Sequence, residues 1–169
     1  EGYEEVGNAI LQNKPEQRID SKAVAYWRWS AGIKSVFLLL IPAGYYIAQQ
    51  HWHWPAWINF ILLGLILTYA IYSILFRPVI RWRTWRYEVS EQEIDLLHGV
   101  FIKTRTLIPM VRVQHVDTEQ GPLLRCFGLS SVTIFTAAGS HEIPALGNEV
   151  AASLRDQISV LARVVDEDV

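Results

Sequence analysis

The residues that could do chemistry are few and scattered along this 169-residue chain. The best grouping is Gln114-His115-Val116-Asp117, in which His115 and Asp117 stand two residues apart. In a strand that spacing puts both side chains on one face, where a carboxylate can orient an imidazole for base catalysis. No serine or cysteine nucleophile accompanies the pair in a motif, and the simpler reading is a polar pair that fixes a sheet. His51-x-His53 has metal-ligand character, but its spacing does not suit a helix face. No Cys, Asp or Glu lies near enough to complete a site, so polar residues set between tryptophans is the alternative. Cys126 is the only cysteine; it has no flanking signature, it excludes an internal disulfide, and it fits a reducing compartment. No glycine-rich phosphate loop is present. The chain is therefore expected to have no catalytic residue, no metal and no cofactor.

The elements that must carry these residues fall into two unlike halves. Val36–Ile47 opens one apolar stretch and Trp57–Phe76 forms a second that carries no charge. About 20 such residues cross a ~30 Å hydrocarbon core as a helix. The sequence predicts a transmembrane hairpin over residues 23–80, with spans at 27–47 and 55–76. Arg28 and Lys34 lie in the first third of the first span, where long side chains reach the interface, and Pro42 and Gly44 can kink it. Trp27, Trp29, Trp52, Trp54, Trp57, Trp82 and Trp85 cluster where these stretches begin or end, which reads as aromatic belts at the two membrane surfaces; ordinary core tryptophans are the alternative.

Charge orients the hairpin. Lys14, Arg18, Lys22, Arg28 and Lys34 precede or open the first span, and Arg77, Arg81, Arg83 and Arg86 follow the second. The connection Ala48–Ala56 has neither Lys nor Arg. Lys/Arg-rich short flanks stay in the cytoplasm, so a multi-pass protein of the plasma membrane with both termini cytoplasmic is expected. The four arginines are candidate contacts to anionic headgroups, each worth about 1 kcal/mol near the surface. Residues 1–22 read as a polar, mobile or loosely docked arm without a signal-peptide pattern. The chain does not begin with Met, so a few native residues are expected ahead of it.

Net charge is −2, but the halves differ: residues 87–169 carry six Lys/Arg against twelve Asp/Glu. An acidic domain is a poor partner for nucleic acid. From Trp85 the periodicity changes to two. Trp85, Tyr87 and Val89 alternate with Arg86, Glu88 and Ser90; a second strand is expected through Ile94 and Leu96, ending at Gly99, and others over Thr104–Ile108, Val111–Val116, Ser131–Thr136 and His141–Ile143. Pro109 marks a break, and Gln120-Gly121-Pro122 and Ala138-Gly139-Ser140 mark turns. Asn148 is a plausible helix cap, and Val150, Leu154, Ile158, Leu161 and Val165 form one apolar stripe. Residues 81–166 thus read as an antiparallel domain closed by a C-terminal helix, an α+β fold attached to membrane helices.

Several motifs together carry a resemblance. The run Ile108 to Val116 with Gln114 and His115, then Gly121-Pro122-Leu123, Phe127-Gly128-Leu129, Thr136-Ala137-Ala138-Gly139, His141-Glu142-Ile143-Pro144 and Trp85-Arg86-Tyr87, resembles the bacterial pleckstrin-homology (PH) domain of the YdbS-like membrane family. It covers roughly Arg18 to Arg163. The resemblance implies a seven-stranded, bent PH-like sheet closed by a helix. It makes Gln114, His115, Gly121, Pro122, Phe127 and Gly128 structural motif residues. It also implies a companion: such proteins are often accompanied by a larger membrane protein with several copies of the domain. Eukaryotic PH domains that hold phosphoinositides place basic residues around their first hairpin; the matching turn here, Ser90-Glu91-Gln92-Glu93, is acidic. The expected role is a non-enzymatic adaptor that meets membrane lipids and binds a companion or a second copy. A lipid- or amphiphile-sensing envelope module is the alternative.

Overall fold

The structure is a computed structural model and describes residues 15–167 apart from His53 and Phe101. The chain divides into two compact units, residues 24–80 and a second made of residues up to 23 together with 81 onward.

The first unit is the hairpin. Helix α1 (Lys22–Leu38) runs into α2 (Leu40–Trp52), and α3 (Trp57–Ile71) continues through a wide turn, Tyr72–Phe76, into α4 (Arg77–Thr84). Lys22–Trp52 and Trp57–Thr84 are each long and apolar enough to cross a membrane, and both run beyond the expected spans. Prolines explain the two irregularities. Pro42 has no N–H to bond the Leu38 carbonyl, and the helix is interrupted at Leu39, whose N–H is shared between Ser35 and Val36. Pro78 likewise cannot bond Ile74, and the turn before it widens so that the Arg77 N–H reaches Tyr72. Two hydroxyls bond within their own helices: Ser35 Oγ donates to Ala31 O at 2.8 Å and Thr68 Oγ1 to Gly64 O at 2.8 Å, whereas Asn59 Oδ1 is buried without a partner. Around the connection Tyr45 packs on Trp54, Trp54 stacks on Trp52, and the Tyr45 hydroxyl donates to Pro55 O at 3.0 Å.

The second unit has two antiparallel sheets. One has the order β1 (Gln17–Arg18), β2 (Arg86–Val89), β3 (Glu93–His98), β4 (Thr104–Pro109). The other is β5 (Val113–Glu119), β6 (Leu129–Thr136), β7 (Gly139–Gly147). A short helix α5 (Pro122–Cys126) joins β5 to β6, and α6 (Asn148–Glu167) packs on β5, β6, β7 and the Met110–Arg112 turn. Ile94, Leu96, Ile108, Met110, Leu129, Val132, Ile134, Ile143, Ala151 and Ile158 are buried in the core.

The structure corrects three expectations. The separate arm over 1–22 is one: Gln17 and Arg18 pair with Tyr87 and Arg86, and Pro15, Ile19 and Ala23 are buried, so residues 15–23 belong to the domain. Residues 1–14 lie outside the described residues. The strand expected at Val111 begins only at Val113, because Pro109 ends β4 and a 3-10 turn buries Met110. The helix stripe is shifted: Val150 is exposed and Ala151 takes its place beside Leu154 and Ile158. The side chain of Val165 lies outside the described residues. Strand β7 also runs longer than expected, through Pro144 and Ala145. These two stand opposite Ser131 between the Ile143 and Leu146 pairs, and Ala145 has φ 53°. A bulge on an edge strand accepts a proline there because its missing N–H breaks no ladder bond.

Candidate functional site

The pair His115 and Asp117 lies on β5, an edge strand, with Nε2 to Oδ2 at 4.0 Å and both side chains 58% exposed. The imidazole stacks on its cross-strand neighbour Phe135 at 4.3 Å between centroids. Two open, water-facing groups at that distance form a weak surface contact. Gln114 sits at the register shift between Val113 and His115 and is exposed. His53 lies outside the described residues, so the His51-x-His53 pair is not placed. Among the described residues no three His, Cys, Asp or Glu side chains gather as a metal site.

The glycine and proline motif builds a clasp. Gly121 is extended (ψ 169°) and Pro122 starts α5, where its missing N–H costs nothing. Phe127 and Gly128 donate to Leu124 O and Arg125 O, and Gly128 takes φ 66°, which suits a residue without a Cβ. The Gly128 carbonyl then accepts the Asn148 N–H at 3.2 Å. The Asn148 amide is oriented with its nitrogen toward Ser130 Oγ at 2.8 Å and its oxygen toward Gln120 Nε2 at 3.2 Å. Gln120 Nε2 also donates to Leu129 O at 2.9 Å. The excursion between β5 and β6 is thus tied to the start of α6. Sequence reasoning took Asn148 as a helix cap and missed Gln120 and Ser130, whose partners are distant in sequence.

The four arginines do not form one cluster. Arg77 and Arg83 are exposed and Arg81 is half-buried. Arg86 donates through Nη1 to Pro15 O at 3.5 Å, so it helps hold the segment that precedes the hairpin. Beside it Trp82 Nε1 donates to Ile19 O at 3.2 Å and the Arg18 guanidinium lies over the Trp82 ring.

Two further groups carried no sequence signal. Asp95 is buried on β3 and takes a forked bond from Arg105 of β4, with Nη2 to Oδ2 at 2.6 Å and Nε to Oδ2 at 3.0 Å. The hydrogen bond it donates to Asp95 holds the Arg105 guanidinium above its ordinary pKa. His98 stacks on Trp85 at 4.9 Å, and its Nδ1 is buried without a partner. Burial, and then the charges of Arg81 and His141, push its pKa below the ordinary 6.5.

A shallow groove of about 300 Å³ runs between the β1–β2 edge and α6, lined by Gln17, Tyr87, Glu149, Val150, Ser153, Leu154 and Gln157. Burial pushes the Tyr87 phenol pKa up. Within the hairpin an apolar crevice of about 460 Å³ is lined by Arg28, Trp29, Gly32, Ile33, Val36 and Ile74.

Two apolar helices and a domain of two antiparallel sheets closed by a C-terminal helix define a membrane-anchored PH-like protein. The comparisons agree: the chain belongs to the bacterial PH domain family, whose pattern matches residues 33–162. It is 45% identical to UPF0699 transmembrane protein YdbS of Bacillus subtilis (strain 168) over 159 residues, 94% of this chain and the whole of that one. It is 21% identical to UPF0699 transmembrane protein YdbT of the same organism over 126 residues, 75% of this chain but 25% of that protein. No solved structure matches the chain. The family match leaves out residues 15–23, which the fold shows to be part of the same unit.

Proposed function

We propose that this protein is a non-enzymatic membrane adaptor whose hairpin holds the PH-like domain at the cytoplasmic face of a bacterial plasma membrane, where the domain binds a protein partner. The observation that carries the reading is the pairing of Gln17 and Arg18 with Tyr87 and Arg86. A domain assembled from both flanks of the hairpin keeps both ends of the hairpin in one compartment. The Lys/Arg on those flanks, and their absence from Ala48–Ala56, favour the cytoplasm. For the partner, β5 is an edge strand with mostly exposed side chains, the position at which an added strand can pair. YdbT, four times the length of the stretch it shares with this chain, has the size of a companion with further domains. A second copy of this chain is the other candidate for that edge. The hairpin crevice favours the second reading, a module that senses lipid or amphiphile.

The topology is tested in a Cys126→Ser background with single cysteines at Gln50 or Glu91. Gln50→Cys is expected to react with an impermeant thiol reagent on intact cells and Glu91→Cys only after lysis. The reverse pattern removes the adaptor from the cytoplasm. Purification in detergent then reads the partner: a stoichiometric family companion or second copy supports the adaptor, and lipid alone in the crevice supports sensing. His115→Ala and Asp117→Ala are expected to leave partner capture intact, and Arg81→Glu with Arg83→Glu to disturb membrane docking at equal folded-protein level. A folded His115 variant without activity, beside active arginine variants, moves the enzyme reading ahead.

A further inference from the structure

The two ends of the four-stranded sheet expose different chemistry. At one end β2 turns into β3 through Ser90, Glu91 and Gln92, all exposed and none of them large and apolar. At the other end the chain arrives from α4 through Trp85, and β3 leaves into the loop 99–103. The register sets this end: Arg86 pairs with Leu97 and His98 with Thr104, so the loop leaves the sheet at the end where the chain enters it through Trp85. The Trp85–His98 stack joins the two by side chains as well.

This loop turns large aliphatic groups to the outside. Ile102 is 81% exposed and Val100 38%, with Lys103 exposed next in the chain. Single exposed aliphatics are ordinary on a soluble surface. Two on one short loop, at the end of the sheet that also carries Arg81, Arg83 and Arg86, form a combined apolar and basic feature. The loop's shape is built in. Gly99 has φ 114°, and a Cβ there would collide with the Ile102 carbonyl oxygen, so only glycine lets the backbone fold back so tightly.

We propose that the β3–β4 loop is a membrane-inserting tip: Val100 and Ile102 enter the interfacial layer of the leaflet from which the second helix emerges, with Lys103 and Arg83 against anionic headgroups. Aliphatic side chains leave water for that layer favourably, and basic neighbours add attraction to anionic lipid. A protein could also cover an apolar tip. Lipid is favoured by the surrounding positive charge and by chain continuity with an apolar helix that ends a few residues away. The acidic Glu91 end would then face the cytosol, free for a partner. This inference rests on the adaptor reading's placement of the domain at a leaflet.

The test uses the full chain in nanodiscs of phosphatidylglycerol and phosphatidylcholine in equal parts. Ile102→Cys and Glu91→Cys, each with Cys126→Ser, carry a polarity-sensitive fluorophore. The Ile102 label is expected to emit at shorter wavelength than the Glu91 label and to lose most of its intensity with spin-labelled lipid, while the Glu91 label responds to aqueous iodide. An Ile102 label that matches the Glu91 label in both readouts overturns the proposal. So does a blue-shifted Ile102 label that lipid quencher leaves untouched, which assigns the tip to a protein contact. Because Gln50 labelling on cells reads the topology separately, loss of the insertion result with Gln50 still reactive removes the tip alone and leaves the adaptor reading standing.

Discussion

Helices α3 and α6 bury opposite sides of the same kind of residue. On α6 the apolar side chains Ala151, Leu154 and Ile158 are buried, and polar side chains such as Asp156 are exposed. On α3 most apolar side chains are exposed, Phe60 75% and Leu65 63%, with Ile66 buried, and the helix has no polar face. In water the α3 pattern would be unstable, because nothing would offset the solvent-exposed hydrocarbon. In a bilayer the surroundings are as apolar as leucine, so outward Phe and Leu cost nothing and the backbone is satisfied within the helix. The contrast teaches that exposure has to be judged against the solvent each helix meets: the same Leu is core in one and surface in the other.

The contrast can be broken or sharpened by substitution. Leu154→Ala, which empties a buried site on α6, is expected to destabilise the domain by about 2–5 kcal/mol, read by chemical denaturation of the full chain in detergent. An unchanged midpoint would show that α6 is not part of the core. Asp95→Ala leaves the Arg105 guanidinium half-buried with no anion and is expected to cost about 1.5–3 kcal/mol in the same assay. Asp95→Asn, which retains an acceptor, should cost less.

A pH effect comes next. Because the native His98 pKa lies below the ordinary 6.5, the unfolded chain binds more protons than the folded one in that range. The stability associated with His98 is therefore fully present above pH 6.5 and is lost as pH falls through the lower native value. Melting temperature followed between neutral and mildly acidic pH should decline less for His98→Gln than for the parent chain, and equal declines would remove His98 as the cause. The smallest change belongs to the other side of the comparison. Phe60→Ala on the outward face of α3 is expected to stay within about 0.5 kcal/mol in lipid nanodiscs, as for a surface position. A loss comparable to that of Leu154→Ala would mean that Phe60 packs against protein rather than lipid.

Much of this plan was legible in the residues. The lengths and uncharged character of the two apolar stretches announced the hairpin, and Pro42 announced a break in the first helix, although the interruption itself falls three residues earlier at Leu39. Two-residue alternation located most of the strands, because side chains on a pleated strand alternate by geometry. Glu91-Gln92 and Ala138-Gly139 placed two hairpin turns. The candidate site was less legible. His115 and Asp117 read in sequence as a polar pair that fixes a sheet, and the structure places them exposed on an edge strand, 4.0 Å apart. The Asp95–Arg105 pair and the Gln120–Asn148–Ser130 clasp were not found, since each is a meeting of polar residues with no local pattern around them.

By itself, then, the sequence determined what depends on near neighbours: which segments are helix, which alternate as strands, where apolar length suffices for a bilayer, and where along the chain the basic flanks fall. Only the tertiary structure decided what depends on meetings across the chain. Gln17-Arg18 is a two-residue strand with no alternation to detect, and its partners lie beyond the whole hairpin. Its ladder bonds and the burial of Ile19 exist only once both flanks are brought together. The same holds for the α6 stripe, where Val150 and Ala151 are equally compatible with a helix face and only the position of β5 and β6 selects the smaller residue for the close contact. Periodicity is a property of the local backbone, whereas pairing and packing free energy is gained only between surfaces that folding brings into contact.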